Sequence, residues 1–225
     1  MATRGRQAEA ARNDRLVLEA ARDVFTTQGF DAPVSAVARR AGVGIGSLYR
    51  RYGSKEELLQ RLCVLAMEQA IEAAEDALRA ADPGKGLASY IRICTGFGSG
   101  MLTPIAGTFP TTPEMWETAR RSHALLEEVI ARAHAAGALR ADATSVDVVS
   151  LIRHFSRRPA PGPDRARDAH VRDRLLAIAM DGLRTPAPAP LPDPPPSWAE
   201  YSARWRHADP GSRSDRLLLG PKSNP

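Results

Sequence analysis

The stretch AGVGIGSLYRRYGSK, residues 41–55, constrains the fold more than any other part of the chain. Four glycines and three basic residues share its fifteen positions. That composition suits either a loop that cradles phosphate or the turn and second helix of a unit that grips DNA. A Walker loop needs G-x-x-x-x-G-K-[ST], and no lysine follows a glycine in that register here. A dinucleotide loop needs G-x-G-x-x-G after a strand, whereas residues 42–46 give G-x-G-x-G after a helical pattern. The helix-turn-helix reading meets the spacing. A short helix from about Val34 to Arg40 is buried through Val37, Ala38 and Ala41, and Gly42-Val43 makes a tight turn. A second short helix follows from about Ile45 to Tyr52, with Leu48 and Tyr52 one turn apart. Gly42 suits a positive φ, and Gly44 and Gly46 thin the start of the second helix so that its backbone can approach a duplex. Arg50 and Arg51 are placed to reach phosphates or base edges. Of Arg39 and Arg40, one faces the DNA backbone and the other is plain surface.

Charge supports this reading. Residues 1–55 carry ten Lys/Arg against five acids, so the whole net charge of +5 belongs to the first quarter of the 225-residue chain. A basic excess confined to one region fits a polyanionic partner.

The rest of the chain reads as helix after helix, with no β-alternation, so the expected fold is all-α. Residues 1–12 read as a flexible basic arm. A helix follows from Asn13 or Asp14 to about Gln28, with apolar pairs every four residues and Gly29 at its end. Ser54 opens a capping box, S-x-x-E, for a long helix to about Ala80. Further helices are expected at about 86–102, 113–136, 145–156 and 165–184, with an irregular segment at 103–113. Seven prolines in residues 186–196 make an extended spacer that cannot join a packed core. Beyond it Trp198, Tyr201 and Trp205 stand at i, i+3 and i+7. They are read as part of a disordered appendage rather than as a dock for a partner subunit or a cap on a cavity. The domains are thus 1–12, 13–54, 55–184 and a Pro-rich tail, 185–225. No run of 18 apolar residues suggests a membrane span, and no apolar leader core precedes the first helix, so a cytoplasmic protein is expected.

The segment LEAARDVFTTQGFDAPVSAVARRAGVGIGSLYRRYGSKEELL resembles the N-terminal DNA-binding domain of the TetR/AcrR family of bacterial transcriptional regulators. The positions that carry the resemblance include Phe25, Gly29, Val37, Ala38, Ala41, Gly42, Val43, Gly46, Leu48, Tyr49, Ser54, Lys55 and Leu58, with Tyr52 at a usual Phe. The later two-thirds resembles the family in layout alone. The resemblance implies a homodimer reading a near-palindromic operator in double-stranded DNA, usually as a repressor released by a small molecule. It implies that Tyr49 hydrogen-bonds a phosphate, that Lys55 meets the backbone at its helix N-terminus, and that Ser47 touches phosphate or base. Three departures stand out. Pro33-Val34 replaces a Ser/Thr cap, Gly44 replaces another, and Ile45 stands where a basic residue often contacts bases. The candidate DNA-binding set is therefore Pro33, Val34, Arg39, Val43, Gly44, Ile45, Gly46, Ser47, Tyr49, Arg50, Arg51, Tyr52 and Lys55. Within it Tyr52, like Leu48, reads chiefly as core that sets the helix angle.

For a small hydrophobic or amphipathic ligand, the candidates flank the irregular segment: Tyr90, Phe97, Met101, Phe109, Met115 and Trp116. For a four-helix dimer interface they are Val148, Leu151, Ile152 and Phe155 with Val171, Leu175 and Ile178. No cofactor or metal is expected: Cys63 and Cys94 sit in apolar surroundings, and His123, His134 and His154 lack the spacing of a ligand set. An enzyme would need a nucleophile–base pair or spaced ligands, and neither is found. A protein that keeps the fold with weakened DNA binding is the alternative.

Overall fold

The computed structural model describes residues 2–98, 100, 107–156, 164–184, 189–192, 197–203 and 205. These form helices α1 (Ala2–Gln28), α2 (Val34–Ala41), α3 (Ile45–Tyr52), α4 (Lys55–Arg79), α5 (Pro83–Phe97), α6 (Pro113–Ala135), α7 (Ser145–Phe155), α8 (Arg165–Gly182) and α9 (Trp198–Ala203). The fold is all-α. No strand occurs among the described residues, apart from one isolated bridge between Leu139 and Arg184.

Local chemistry accounts for the boundaries. Gly42 ends α2 at φ +70°, where an L side chain is strained, and the Val43 N–H closes the turn on the Ala38 carbonyl at 3.0 Å. Ser54 caps α4 by accepting from the Glu57 N–H at 3.1 Å. The helix expected at 86–102 instead spans 83–97. Asp82 accepts from the Lys85 N–H at 3.0 Å and Pro83 pre-sets the first turn, so the start moves upstream. Gly98 at φ +82° stops the helix early. The stretch expected as a flexible arm, residues 1–12, is helical from Ala2 onward, because an Ala-, Arg-, Gln- and Glu-rich run propagates a helix readily.

Two apolar clusters share α4. The lower one joins α1, α2, α3 and the first half of α4 through Phe25, Val37, Leu48, Leu58 and Leu62. The upper one packs Ala70, Ala73, Ala74 and Ala77 of α4 against α5, α6, α7 and α8. Alanines let the helices approach closely. A Cβ on Gly86 of α5 would lie 2.6 Å from the Ala77 carbonyl oxygen, so only glycine fits that crossing. Arg132 of α6 finishes the α4 C-terminus, donating to the carbonyls of Ala77 (3.2 Å), Leu78 (2.7 Å) and Ala80 (2.7 Å). The long helix is thereby held at both ends, one inside each cluster.

Candidate nucleic-acid interface and ligand cavity

In the head, α3 buries Leu48 and Tyr52 and turns its other side outward. Ile45 and Tyr49 are 46% and 45% exposed, large apolar surfaces left uncovered beside exposed Gly44, Gly46, Ser47 and Arg50. Pro33 and Arg39 are exposed on the same unit, and Val43 is half-buried. The Arg50 side chain lies across Gly46, whose added Cβ would stand 3.8 Å from its Nη1. That is an ordinary contact distance, so the guanidinium lies over the start of the helix without requiring glycine there. Neither short helix has a side-chain cap at Pro33 or Gly44, in keeping with the departures read in the sequence.

Three members of the candidate set make contacts within the head. Val34 is buried in the head core, because the first turn of α2 packs inward. Tyr52 is also core, as its Leu48 spacing suggested, and its phenol donates to the carboxylate of Asp14. Burial, reinforced by that carboxylate, holds the phenol well above its ordinary pKa, so it stays a neutral donor. Arg51 donates from Nε to the same Asp14 oxygen at 2.5 Å. Asp14 thus clamps α3 onto α1 through two side chains, and Arg51 acts first as a brace. A second tie joins Arg40 to Asp23 at 3.1 Å. Lys55 rests its ammonium 5.7 Å from the Phe25 ring centroid while remaining half-exposed. Asp14, read from the sequence as a possible start of the first helix, lies inside α1 and ties it to α3 instead, and Asp23 was not singled out, since the Asp14 contacts join residues 37 and 38 apart.

Above the head lies a cavity of about 240 Å³. Tyr90, Met115 and Trp116 line it as expected. Phe97 and Phe109 do not. Phe109 is buried in the lower cluster, and Phe97 packs on that cluster with the Arg22 guanidinium 4.8 Å from its ring centroid. Met101 lies outside the described residues. Cys63, Ala66, Met67 and Ala70 supply the α4 wall. Cys63 and Cys94 are both free and buried, and burial pushes the Cys63 thiol up to about 12. Burial raises the Tyr90 phenol as well, assisted by its hydrogen bond with Cys94. His123 faces the cavity with its Nδ1 buried and unpartnered, and Nε2 is 3.5 Å from Glu127. Burial lowers its pKa, against the pull of Glu127, so the imidazole favours its neutral form.

Part of the tail departs from the reading of 185–225 as a disordered appendage, while residues 206–225 lie outside the described residues. Residues 198–203 form α9, which carries Trp198, Tyr201 and, just beyond its end, Trp205 onto the cavity. The Trp198 indole stacks on His123 at 3.7 Å between centroids and 3° between planes. The i, i+3, i+7 aromatics were the signal for this contact.

The proposed interface splits. Val148 and Ile152 of α7 are buried within their own subunit's upper cluster, and Ile152 lines the cavity, so neither is available to a second subunit. Leu151 and Phe155 pack half-buried on that cluster. On α8, Val171, Leu175 and Ile178 are 48%, 51% and 63% exposed and form an uncovered apolar stripe.

Comparison with known proteins agrees with this layout. Residues 17–62 match the family described as bacterial regulatory proteins, tetR family. Residues 82–185 match the C-terminal domain described as transcriptional regulator SbtR-like. A comparison with curated proteins gave no match. Among solved structures, a TetR transcription regulatory protein from Mycobacterium vanbaalenii is 28% identical, with 80% of this chain and 99% of that one covered and a TM-score of 0.55. The TetR transcriptional regulator SCO0520 from Streptomyces coelicolor is 24% identical over 77% and 99% of the two chains, TM-score 0.56. The ketosteroid transcriptional regulator KstR2 of Mycobacterium tuberculosis is 23% identical over 77% and 95%, TM-score 0.51. With an N-terminal reading head and a C-terminal helical domain that each match the family, the chain belongs to the TetR family of DNA-binding transcriptional regulators.

Proposed function

We propose that the protein is a homodimeric repressor, released from a palindromic operator when a small molecule fills its upper cavity. The observation that carries this reading is α4, one unbroken helix that supplies Leu58 and Leu62 to the head core and Cys63, Met67 and Ala70 to the cavity wall. A ligand pressing on the upper half of that helix tilts the lower half, and the head moves with it. The exposed stripe of Val171, Leu175 and Ile178 on α8 is the surface we assign to the two-fold partner. Two-fold symmetry then sets the recognition helices one B-DNA turn apart, about 34–36 Å. A ligand that favours the splayed dimer by about 1–3 kcal/mol lowers operator affinity roughly 5- to 150-fold. No helix among the described residues is long and apolar enough to cross a membrane.

The test is a gel shift against the DNA flanking the protein's own gene, repeated across salt concentrations. Binding should weaken steeply with salt, and Arg50→Ala should flatten the slope by about one unit if its guanidinium meets a phosphate. Ile178→Glu should give monomers in sedimentation and abolish the shift. A second reading, the same fold with weakened DNA binding, is favoured by the missing side-chain caps on α2 and α3 and by exposed Ile45 where a base-contacting cation often stands. No shift at low salt with a dimer intact would select it.

A further inference from the structure

Resting on the ligand-release reading above, we propose that α9 is the outer wall of the cavity and makes it a site for a small, flat aromatic compound bearing a neutral or anionic polar group. The helix lies outside both matched domains, which end at residue 185, so this wall is an addition of the tail rather than part of the matched C-terminal domain. Three observations converge on that ligand chemistry. The first is the ring platform. Trp198 lies flat on His123 at 3.7 Å, and Tyr201 stacks on Trp198 at 5.2 Å and 23°, while Trp116 and Trp205 line the same space. The second is the polar contact. His123 lines the cavity and keeps its Nδ1 buried without a hydrogen-bond partner, so a ligand donor that entered beside the ring and drew it outward would satisfy that atom. The third is charge. The described lining holds no carboxylate, so a cationic ligand would be desolvated without a counter-ion, whereas an acid or phenol could share the guanidinium of Arg120, a lining residue that pairs with Glu117. Size narrows the class further. At about 240 Å³ the cavity falls just below the roughly 300–1,000 Å³ common for drug-sized ligands, which suits one or two fused rings.

The tail is fastened where this wall requires. Arg140, buried in the α6–α7 connection, pairs with Asp142 at 2.6 Å and donates to the carbonyls of Gly182 and, at 2.5 Å, Ala189. Asp142 in turn accepts from the Leu191 N–H at 2.8 Å. The bond from Arg140, joined by the one from Leu191, holds the Asp142 carboxyl well below the usual carboxylate range. The clasp anchors the spacer a few residues ahead of Trp198.

Calorimetric titration of the full chain, without DNA, with three probes on one ring system tests the proposal: indole, indole-3-acetate and tryptamine. Indole and indole-3-acetate should bind, and tryptamine at least tenfold more weakly. Trp198→Ala and, separately, Trp205→Ala should each weaken indole-3-acetate at least tenfold, with unfolding temperatures within a few degrees of the parent. His123→Leu should weaken indole and indole-3-acetate alike, because an Nδ1 left as acceptor by the Nε2–Glu127 contact takes the ring N–H that both probes carry. Equal binding of tryptamine, binding unchanged or tightened by Trp198→Ala, or no binding of any probe at millimolar concentration would overturn it. Tightening would show that α9 is an occupant the ligand must expel. Probe binding that leaves the operator complex intact would sink the release mechanism and leave this site standing.

Discussion

The reading head and the cavity half divide one helix between them and are built on opposite rules. In the head, Val, Leu and Phe fill the space between α1, α2, α3 and α4, and Asp14 bolts the recognition helix in place. In the upper half, α4 presents alanines, the helices cross at glycine distance, and the space beside them is left empty. A solid head keeps its geometry under load, while a hollow upper domain changes shape at small cost. A regulator needs both, one region to hold a shape and one to have two.

The most direct way to break that comparison is a matched pair. Leu58→Ala in the head and Leu126→Ala on the cavity wall remove equal side chains from positions 0% and 1% exposed. The head variant should cost about 4 kcal/mol and the wall variant about 2–3 kcal/mol, because Leu126 already has empty space on one side. Equal costs in denaturant titrations would mean that the upper half is packed as tightly as the lower. Next in size, Arg132→Met leaves three α4 carbonyls without their guanidinium donor and should cost about 2 kcal/mol. It should also raise amide exchange in the last turn of α4 without touching the head. Tyr52→Phe removes one of the two bolts to Asp14 and should cost about 1 kcal/mol, with a larger loss in operator affinity than in stability if α3 orientation is what the bolt secures.

The smallest effect is a pH dependence. His123 has a lowered pKa in the folded state, so between the unfolded value near 6.5 and the folded value the unfolded chain holds more protons. Stability therefore falls as pH drops below about 6.5, and replacing His123 with Gln should flatten the thermal-unfolding profile between pH 7 and 5 relative to the parent. An unaltered profile would place His123 in solvent rather than beneath Trp198.

The head was legible in the sequence because its signals are local. Gly42, the S-x-x-E pattern at Ser54 and the spacing of Val37, Leu48 and Tyr52 define α2 and α3 to within one residue. What escaped was long-range. Nothing in the periodicity of α1 marks Asp14 as the partner of residues 37 and 38 positions away. An apolar face on α7 says that Val148 and Ile152 are buried but not by what, and its own subunit covers them. Phe97 and Phe109 were placed on the cavity for lying near an irregular segment, yet proximity along the chain does not decide which of two adjoining cores an aromatic joins. The tail escaped for a different reason: prolines forbid packing where they stand but leave the segment after them free to dock.

The Arg140–Asp142 clasp makes that docking a short-range affair. With Leu191 tethered, Trp198 has only a handful of residues to search through before it meets His123, and a helix as brief as α9 persists only under such confinement. Insertions between Pro192 and Ser197 would lengthen that tether and raise the entropy cost of seating Trp198 on His123. Such insertions would weaken the wall at Trp198 while the reading surface at the far end of α4 keeps its amino acids unchanged.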